Sequence, residues 1–335
     1  MKNLFKAGWI VLLIGAVMTA IGVAKDGAKS IEFKGIKPVE LKEDKKITKK
    51  YDVKEAKNLV MALNKEADGS NSDYSSIVNV EVRQGDAFSA KYSGSKDLAP
   101  VIKNEGDALK IYAGKKSGNY RRVVFDFDGF RSSTDWTSRL VITVPRDYKF
   151  GSVENDGMSG DLTLSGLKTE NLKLHMYDVS DITLNNIEAD KVDVDVSSDL
   201  KVNSSKLSYG MIKVNDGDLN LFDSEVNSIG FELNDGDFSN SNTVMEKSSV
   251  KSNDGDISAS NATIKGRCQF ISQDGDINVT NAQADGYVST TSSGDNLLHA
   301  KKGEATTLEE NPNAANILVL MNSDGDNYLI KERKV

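Results

Sequence analysis

The chain has 335 residues, 4 prolines against 27 glycines, an aromatic share of 7% and a net charge of −8. Few aromatics, few prolines and frequent Val, Ile, Asp, Asn and Ser suit short strands joined by polar turns and argue against a helical protein. Residues 161–295 carry 23 acidic and 10 basic side chains, a net of −13, and so acidic a body lacks the clustered Lys and Arg that nucleic-acid binding requires.

The chain opens with Lys2 and Lys6, then runs from Ala7 to Ala24 without a charge. Eighteen such residues reach about 27 Å as a helix, close to the hydrocarbon thickness of a bilayer. Gly22-Val23-Ala24 would suit a cleavage site before Lys25. The length of the run, and a smooth stripe formed by Gly8, Gly15 and Gly22, favour a retained signal anchor instead. Residues 1–24 are therefore expected to hold the protein on the membrane by a single pass with the remainder outside the cytoplasm, or to release it if cleaved. Residues 25–57 carry 11 Lys against 7 acids. Such an interleaved pattern reads as a solvated stalk, with attraction to anionic head groups or envelope polymers as the functional alternative.

Residues 58–150 read as conventional strands. Ile77 to Val82 alternates, Gln84-Gly85-Asp86 turns, and Phe88 to Tyr92 returns, which predicts a hairpin. Further strands are expected at Ala108 to Tyr112, Arg122 to Phe127 and Leu140 to Val144, with Gly129 to Ser138 as a polar loop carrying Phe130 and Trp136. These strands would cap the first of a set of stacked repeats over 151–335.

The repeats are explicit. Asn215-Asp216-Gly217-Asp218 returns as Asn234-Asp235-Gly236-Asp237, Asn253-Asp254-Gly255-Asp256, Gln273-Asp274-Gly275-Asp276 and Ser323-Asp324-Gly325-Asp326. With degenerate copies ending at Asp161, Asp181, Asp199 and Asp295, the final aspartates lie 20, 18, 19, 19, 19, 20, 19 and 31 residues apart. A fixed period near 19 marks a stacked-repeat protein. One residue beyond each final Asp come Leu162, Ile182, Leu200, Leu219, Phe238, Ile257 and Ile277; three beyond come Leu164, Leu184, Val202, Leu221, Asn240, Ala259 and Val279. This alternation predicts one inward-facing strand, and Ile212, Phe231, Val250 and Phe270, six residues before the next Asp, mark a second. A single repeat buries too little to stand alone, so neighbours must stack as the coils of a parallel β-solenoid; an antiparallel meander is the alternative. The long last interval predicts an insertion over Glu304 to Asn316, after which Tyr328 to Ile330 would finish the final coil.

Calcium is the sharpest chemical reading of the turns, through Asp216, Asp218, Asp235, Asp237, Asp254, Asp256, Asp274 and Asp276, because carboxylates at a turn are its preferred hard ligands. A calcium-stabilised solenoid binding surface polysaccharide is the corresponding function. Against it, the motif lines one side of the coil only and lacks an EF-hand's Glu in the twelfth place. As structural turns, the glycines would supply positive φ while Asn and Asp bond the backbone. Catalysis has no evident centre: His175 and His299 both fall at outward positions of the alternation, with no nucleophile or metal-ligand cluster beside them. A carbohydrate-active β-helix enzyme is a distant alternative. Cys268, the only cysteine, falls in an apolar column and is expected to be a small buried thiol.

The N-terminal hydrophobic segment, the strand region ending in Val141-Ile142-Thr143-Val144-Pro145 and the N-D-G-D-[IL]-x-[LV] units together resemble the bacterial putative-adhesin family of β-strand-repeat proteins, which includes LiaG-like envelope proteins. The resemblance spans roughly residues 50–335. It implies an extracytoplasmic β-solenoid of the cell envelope, an adhesin-like interaction or scaffolding module, and brings no catalytic residues with it.

Overall fold

The computed structural model describes residues 31–34, 37–40, 46–62, 78–113, 123–126, 129–132, 138–177 and 181–331. The apolar run of 1–24 lies outside the described residues. Among them, no helix is long and apolar enough to cross a membrane.

The chain divides into two compact units. The smaller takes residues 1–45 and 117–137, and its described part is two antiparallel hairpins: Ile31–Lys34 with Lys37–Glu40, and Val123–Asp126 with Gly129–Ser132. Residues 129–132, expected as loop, are thus a strand. Trp136 lies outside the described residues.

The larger unit is all-β. Its described strands form one sheet of 14 strands and one of 15. From Leu162–Ser165 through Ile182–Asn185, Leu200–Asn203, Leu219–Phe222, Phe238–Ser241 and Ile257–Ser260 to Ile277–Thr280, each four-residue strand pairs in parallel with the next. The longer strands, among them Lys168–Met176, Glu188–Val196, Lys206–Asp216 and Glu225–Asp235, pair in parallel in the second sheet. Each repeat therefore contributes one short strand to the first sheet and a longer one to the second. Over residues 244–274 the longer strand is split in two, as in Val244–Glu246 and Ser249–Asp254, both paired with Glu225–Asp235. The sequence columns become spatial columns: Leu219 lies opposite Phe238, Phe238 opposite Ile257, and Ile212 opposite Phe231. The parallel register excludes the meander.

Between the sheets runs a continuous apolar core. Leu162, Ile182, Leu200, Leu219, Phe238, Ile257 and Ile277 are all buried, as are Ile212, Phe231, Val250 and Phe270. Phe238 packs at 5.6 Å from Phe231 and 6.3 Å from Phe270, ring centre to ring centre. Such offset pairs add to what burial of the rings already supplies. Cys268 is buried among them, and its thiol donates to the Met245 carbonyl at 3.4 Å. Asn240 is the polar exception in its column, buried with its amide against the Met245 sulfur.

Both ends differ from expectation. At the N-terminal end, Asn79–Gly85 and Ser89–Ser95 are strands but do not pair with each other. Arg139–Pro145 lies between them, parallel to the first and antiparallel to the second. The Gln84-Gly85-Asp86 turn looked like a hairpin because local pattern reports strands and turns; a strand from 50 residues downstream can still take the place between them. Asn79–Gly85 also pairs with Leu162–Ser165, and Asn58–Ala62 with Lys149–Asp156, so both parallel sheets run on through these strands. Lys46–Tyr51 closes the 14-stranded sheet as an antiparallel edge, with Lys46, Lys49 and Lys50 along it. Lysines on an edge strand discourage further pairing.

At the C-terminal end, Ile317–Asp324 inserts between Arg267–Asp274 and Gly286–Thr291, parallel to both. Asn327–Ile330 likewise inserts between Ile277–Thr280 and Asp295–Leu298. The last coil in sequence is therefore the penultimate one in space. The terminal position belongs to residues 286–298, whose free edges are covered by the antiparallel strands Thr307–Glu310 and Lys301–Glu304.

Candidate functional site

The Asp-Gly-Asp turns form the corner between a long strand and the following short one. Their second aspartates build a ladder. The backbone N–H of Asp218 donates to Oδ1 of Asp199 at 3.0 Å, and Asp237 to Asp218 at 3.0 Å. Asp256 donates to Asp237 and Asp276 to Asp256, both at 2.8 Å. The ladder then follows space rather than sequence: Asp326 donates to Asp276 at 2.9 Å, and Asp295 to Asp326 at 2.7 Å. The carboxylates of Asp199, Asp218, Asp237, Asp256, Asp276 and Asp326 thus each accept a charge-assisted bond from the next coil, stronger than a bond between neutral groups.

The first aspartates form a parallel column. Asp216, Asp235, Asp254 and Asp274 are exposed and lie in register, each opposite the next. Beside them, the Asn234 amide donates to Asn215 at 2.9 Å and the Asn253 amide to Asn234 at 3.0 Å. All eight sequence-selected aspartates therefore meet at one corner, in two columns. Among the described residues, no three His, Cys, Asp or Glu side chains gather as a metal-holding group.

The corner glycines have a stricter role than positive φ. A Cβ on Gly255 would lie 2.2 Å from the Gly236 carbonyl oxygen, and one on Gly236 would lie 2.1 Å from that of Gly217. Gly217 and Gly325 need no positive φ, yet their Cβ atoms would also meet backbone of the neighbouring coil at 2.6 and 2.5 Å. Close approach of successive coils, which only hydrogen at Cα permits, selects glycine here.

Two further bends escaped the sequence reading. Five residues after the six final aspartates from Asp181 to Asp276, Asn186, Ser204, Asp223, Asn242, Asn261 and Asn281 adopt left-handed φ between 47° and 56°. Asn and Asp tolerate that region better than other side chains, and the recurrence of Asn at this offset was the available signal. Tyr209, Ser228, Lys247 and Gly266 are also left-handed, 19 residues apart; the first two bend a long strand, and the last two separate the two strands into which it is split. Their identities share no chemistry, so sequence carried no signal for that bend.

The histidines are engaged in pairs with acids. His175 Nε2 lies 3.4 Å from Asp193, and His299 Nδ1 lies 2.8 Å from Glu310. The bond from His299 holds the Glu310 carboxyl below its ordinary range. His299, expected outward, instead sits at a left-handed corner with φ 53°, edge-on to the buried Tyr287 at 5.0 Å. Alternation stops predicting direction where the strand ends. Asp326 is likewise held below the usual carboxylate range, first by the Tyr328 hydroxyl at 2.7 Å and then by the backbone N–H of Asp295.

Against known proteins, the pattern of the Toastrack DUF4097 family matches residues 74–329. No functionally curated protein matches the chain. Among solved structures, it is similar to a putative adhesin from Parabacteroides merdae, with 11% identity and a TM-score of 0.50 over 87% of this chain and 98% of that one. A putative adhesin from Parabacteroides distasonis aligns over the same shares, with 13% identity and a TM-score of 0.50. At such identities the likeness speaks for fold. The coil architecture and the match over most of its length place this chain in the Toastrack DUF4097 family, whose function is not established.

Proposed function

We propose that the protein is a non-catalytic interaction or scaffolding module of the bacterial cell envelope, held on the membrane by residues 1–24 with its coils outside the cytoplasm. The observation that carries this reading is where the chemistry-bearing side chains are engaged. Oδ1 of the second corner aspartates accepts backbone N–H groups, His175 and His299 are paired with acids, and Cys268 is buried. What the described coils offer outward is long, regular β surface. Such a surface suits extended contact with an envelope polymer, polysaccharide or protein better than the enclosure of a small substrate. The adhesin names of the structurally similar proteins agree with it.

The test is binding to purified bacterial envelopes. The full-length protein should fractionate with membranes at its full mass, and its detergent-solubilised form should cosediment saturably with isolated cell-wall material without changing it. A protein that releases soluble product from the wall, or that shows no saturable binding, would refute the proposal.

A further inference from the structure

The outward faces of the two sheets differ in charge. On the 15-stranded sheet, charges alternate from coil to coil, with Lys213 at 3.1 Å from Glu232 and Lys206 at 3.4 Å from Glu225. On the 14-stranded sheet, the eight parallel strands from Leu162–Ser165 to Asn327–Ile330 each turn two side chains outward. Of these sixteen, only Lys201 is charged, in a protein with 27% charged residues. Most of the rest are Ser, Thr and Asn. Asn220, Ser239, Ser258 and Asn278 stand in one column, each opposite the next. Within this neutral lattice Phe222 is 46% exposed, and Ile330 shares its column.

We propose that this face of the 14-stranded sheet binds an uncharged glycan chain, a deepening that rests on the interaction reading above. The strand spacing sets hydroxyls and amides about 4.8 Å apart along each column, over a width of about 13 Å per four-residue strand. That is a repeating set of donors and acceptors for a ligand with a repeating set of hydroxyls. With Lys201 as the one charge among these sixteen side chains, the face matches a neutral chain and gives a polyanion a single cation to pair with. A protein partner fits less well, because interface cores are enriched in aromatic residues, Met and Arg and depleted of Ser. Phe222 supplies the apolar surface on which a sugar ring can rest.

The test uses the full chain in detergent and calorimetric titration with linear hexasaccharides: β-1,4-glucose, α-1,4-glucose and β-1,4-N-acetylglucosamine, with hexagalacturonate as the charged counterpart. At least one neutral hexasaccharide should bind, and hexagalacturonate should not. Placing Ser239→Lys and Asn278→Lys together should weaken binding by about tenfold or more, roughly 1.4 kcal/mol, and Phe222→Ala should weaken it too. Ser249→Lys, on the other sheet, should leave it unchanged, with melting curves showing that all variants fold. Absence of binding by every neutral hexasaccharide, equal binding of hexagalacturonate, or an inert lysine pair would overturn the proposal. If the lysine pair cosediments with cell-wall material as the parent does, the face is wrong and the interaction reading stands; if the parent itself fails to cosediment, that reading fails.

Discussion

The backbone N–H of Asp256 donates to Oδ1 of Asp237 at 2.8 Å, across two coils that are 19 residues apart in sequence. One oxygen of a carboxylate that reads as a metal ligand is here an acceptor within the fold. An asparagine keeps that acceptor, whereas an alanine removes it. Asp237→Asn should therefore leave stability within about 0.5 kcal/mol and relieve some repulsion along the column. Asp237→Ala should lose about 1 kcal/mol, less than the usual range for a hydrogen bond to a charged group because the site is exposed to solvent. Urea melts of both variants, with calcium and with chelator, separate the two readings of the corner. A chelator-sensitive melt in the parent that the Asn variant lacks would establish the calcium reading.

Gly255 tests the close approach of coils. Gly255→Ala should destabilise by about 2–4 kcal/mol, since its Cβ would lie 2.2 Å from the Gly236 carbonyl oxygen, an atom that cannot move without displacing a coil. Gly106→Ala is the control: φ is +60° there, but nothing lies within 4 Å of the added Cβ. It should cost about 1 kcal/mol, the strain of left-handed backbone alone. Equal losses at the two sites would mean that φ, not the neighbouring coil, selects glycine.

Phe238 bridges Phe231 and Phe270 in the core. Phe238→Ala should cost about 3–5 kcal/mol. Phe238→Leu should cost much less, because most of the volume is retained. Thermal or chemical denaturation followed by circular dichroism reads both.

The inserted C-terminal coil predicts coupled stability of distant segments. A chain ending at Asn316 lacks the strands Ile317–Asp324 and Asn327–Ile330, so residues 267–280 and 286–298 lose their shared partners. Hydrogen exchange should then accelerate in both segments together, while amides of 200–241 stay protected. Protection retained over 286–298 would contradict the insertion.

Tyr51 provides a pH signature. Burial, with a smaller contribution from Tyr92, pushes its phenol up to about 12, and its hydroxyl donates to the Pro100 carbonyl at 2.6 Å. A raised phenol pKa means the folded state holds the proton more tightly than the unfolded one. Its contribution is complete below the unfolded value of about 10 and is lost as pH rises towards 12. Stability measured from pH 9 to 12 should fall less steeply in Tyr51→Phe than in the parent, and ultraviolet difference titration should show one late phenol disappear in the variant.

Much of the architecture was legible because a repeat states its contacts many times over. Leu219, Phe238 and Ile257 at one offset, and Ile212, Phe231 and Val250 at another, mark the two inner columns within the repeat itself. The corner aspartates were equally visible as a set, and the tertiary structure brought all eight together. What local sequence could not state was which strand lies beside which at the ends. Asn79–Gly85 and Ser89–Ser95 carry every mark of a hairpin, yet Arg139–Pro145 separates them. Ser323-Asp324-Gly325-Asp326 is the last repeat in the chain, yet its coil stacks on residues 267–280. Pairing is settled by burial and backbone bonds summed over both sheets, and those depend on segments far apart in sequence.

The period, the inner columns and the residue types at the Asp-Gly-Asp corner are written in the chain, because periodicity and steric tolerance act within one repeat. The order of the terminal coils, the bonds that the second corner carboxylates accept, and the contrast between a charged and a nearly neutral sheet face come from the packing of coils. Each of these arises between coils, where residues 19 or 50 apart become neighbours.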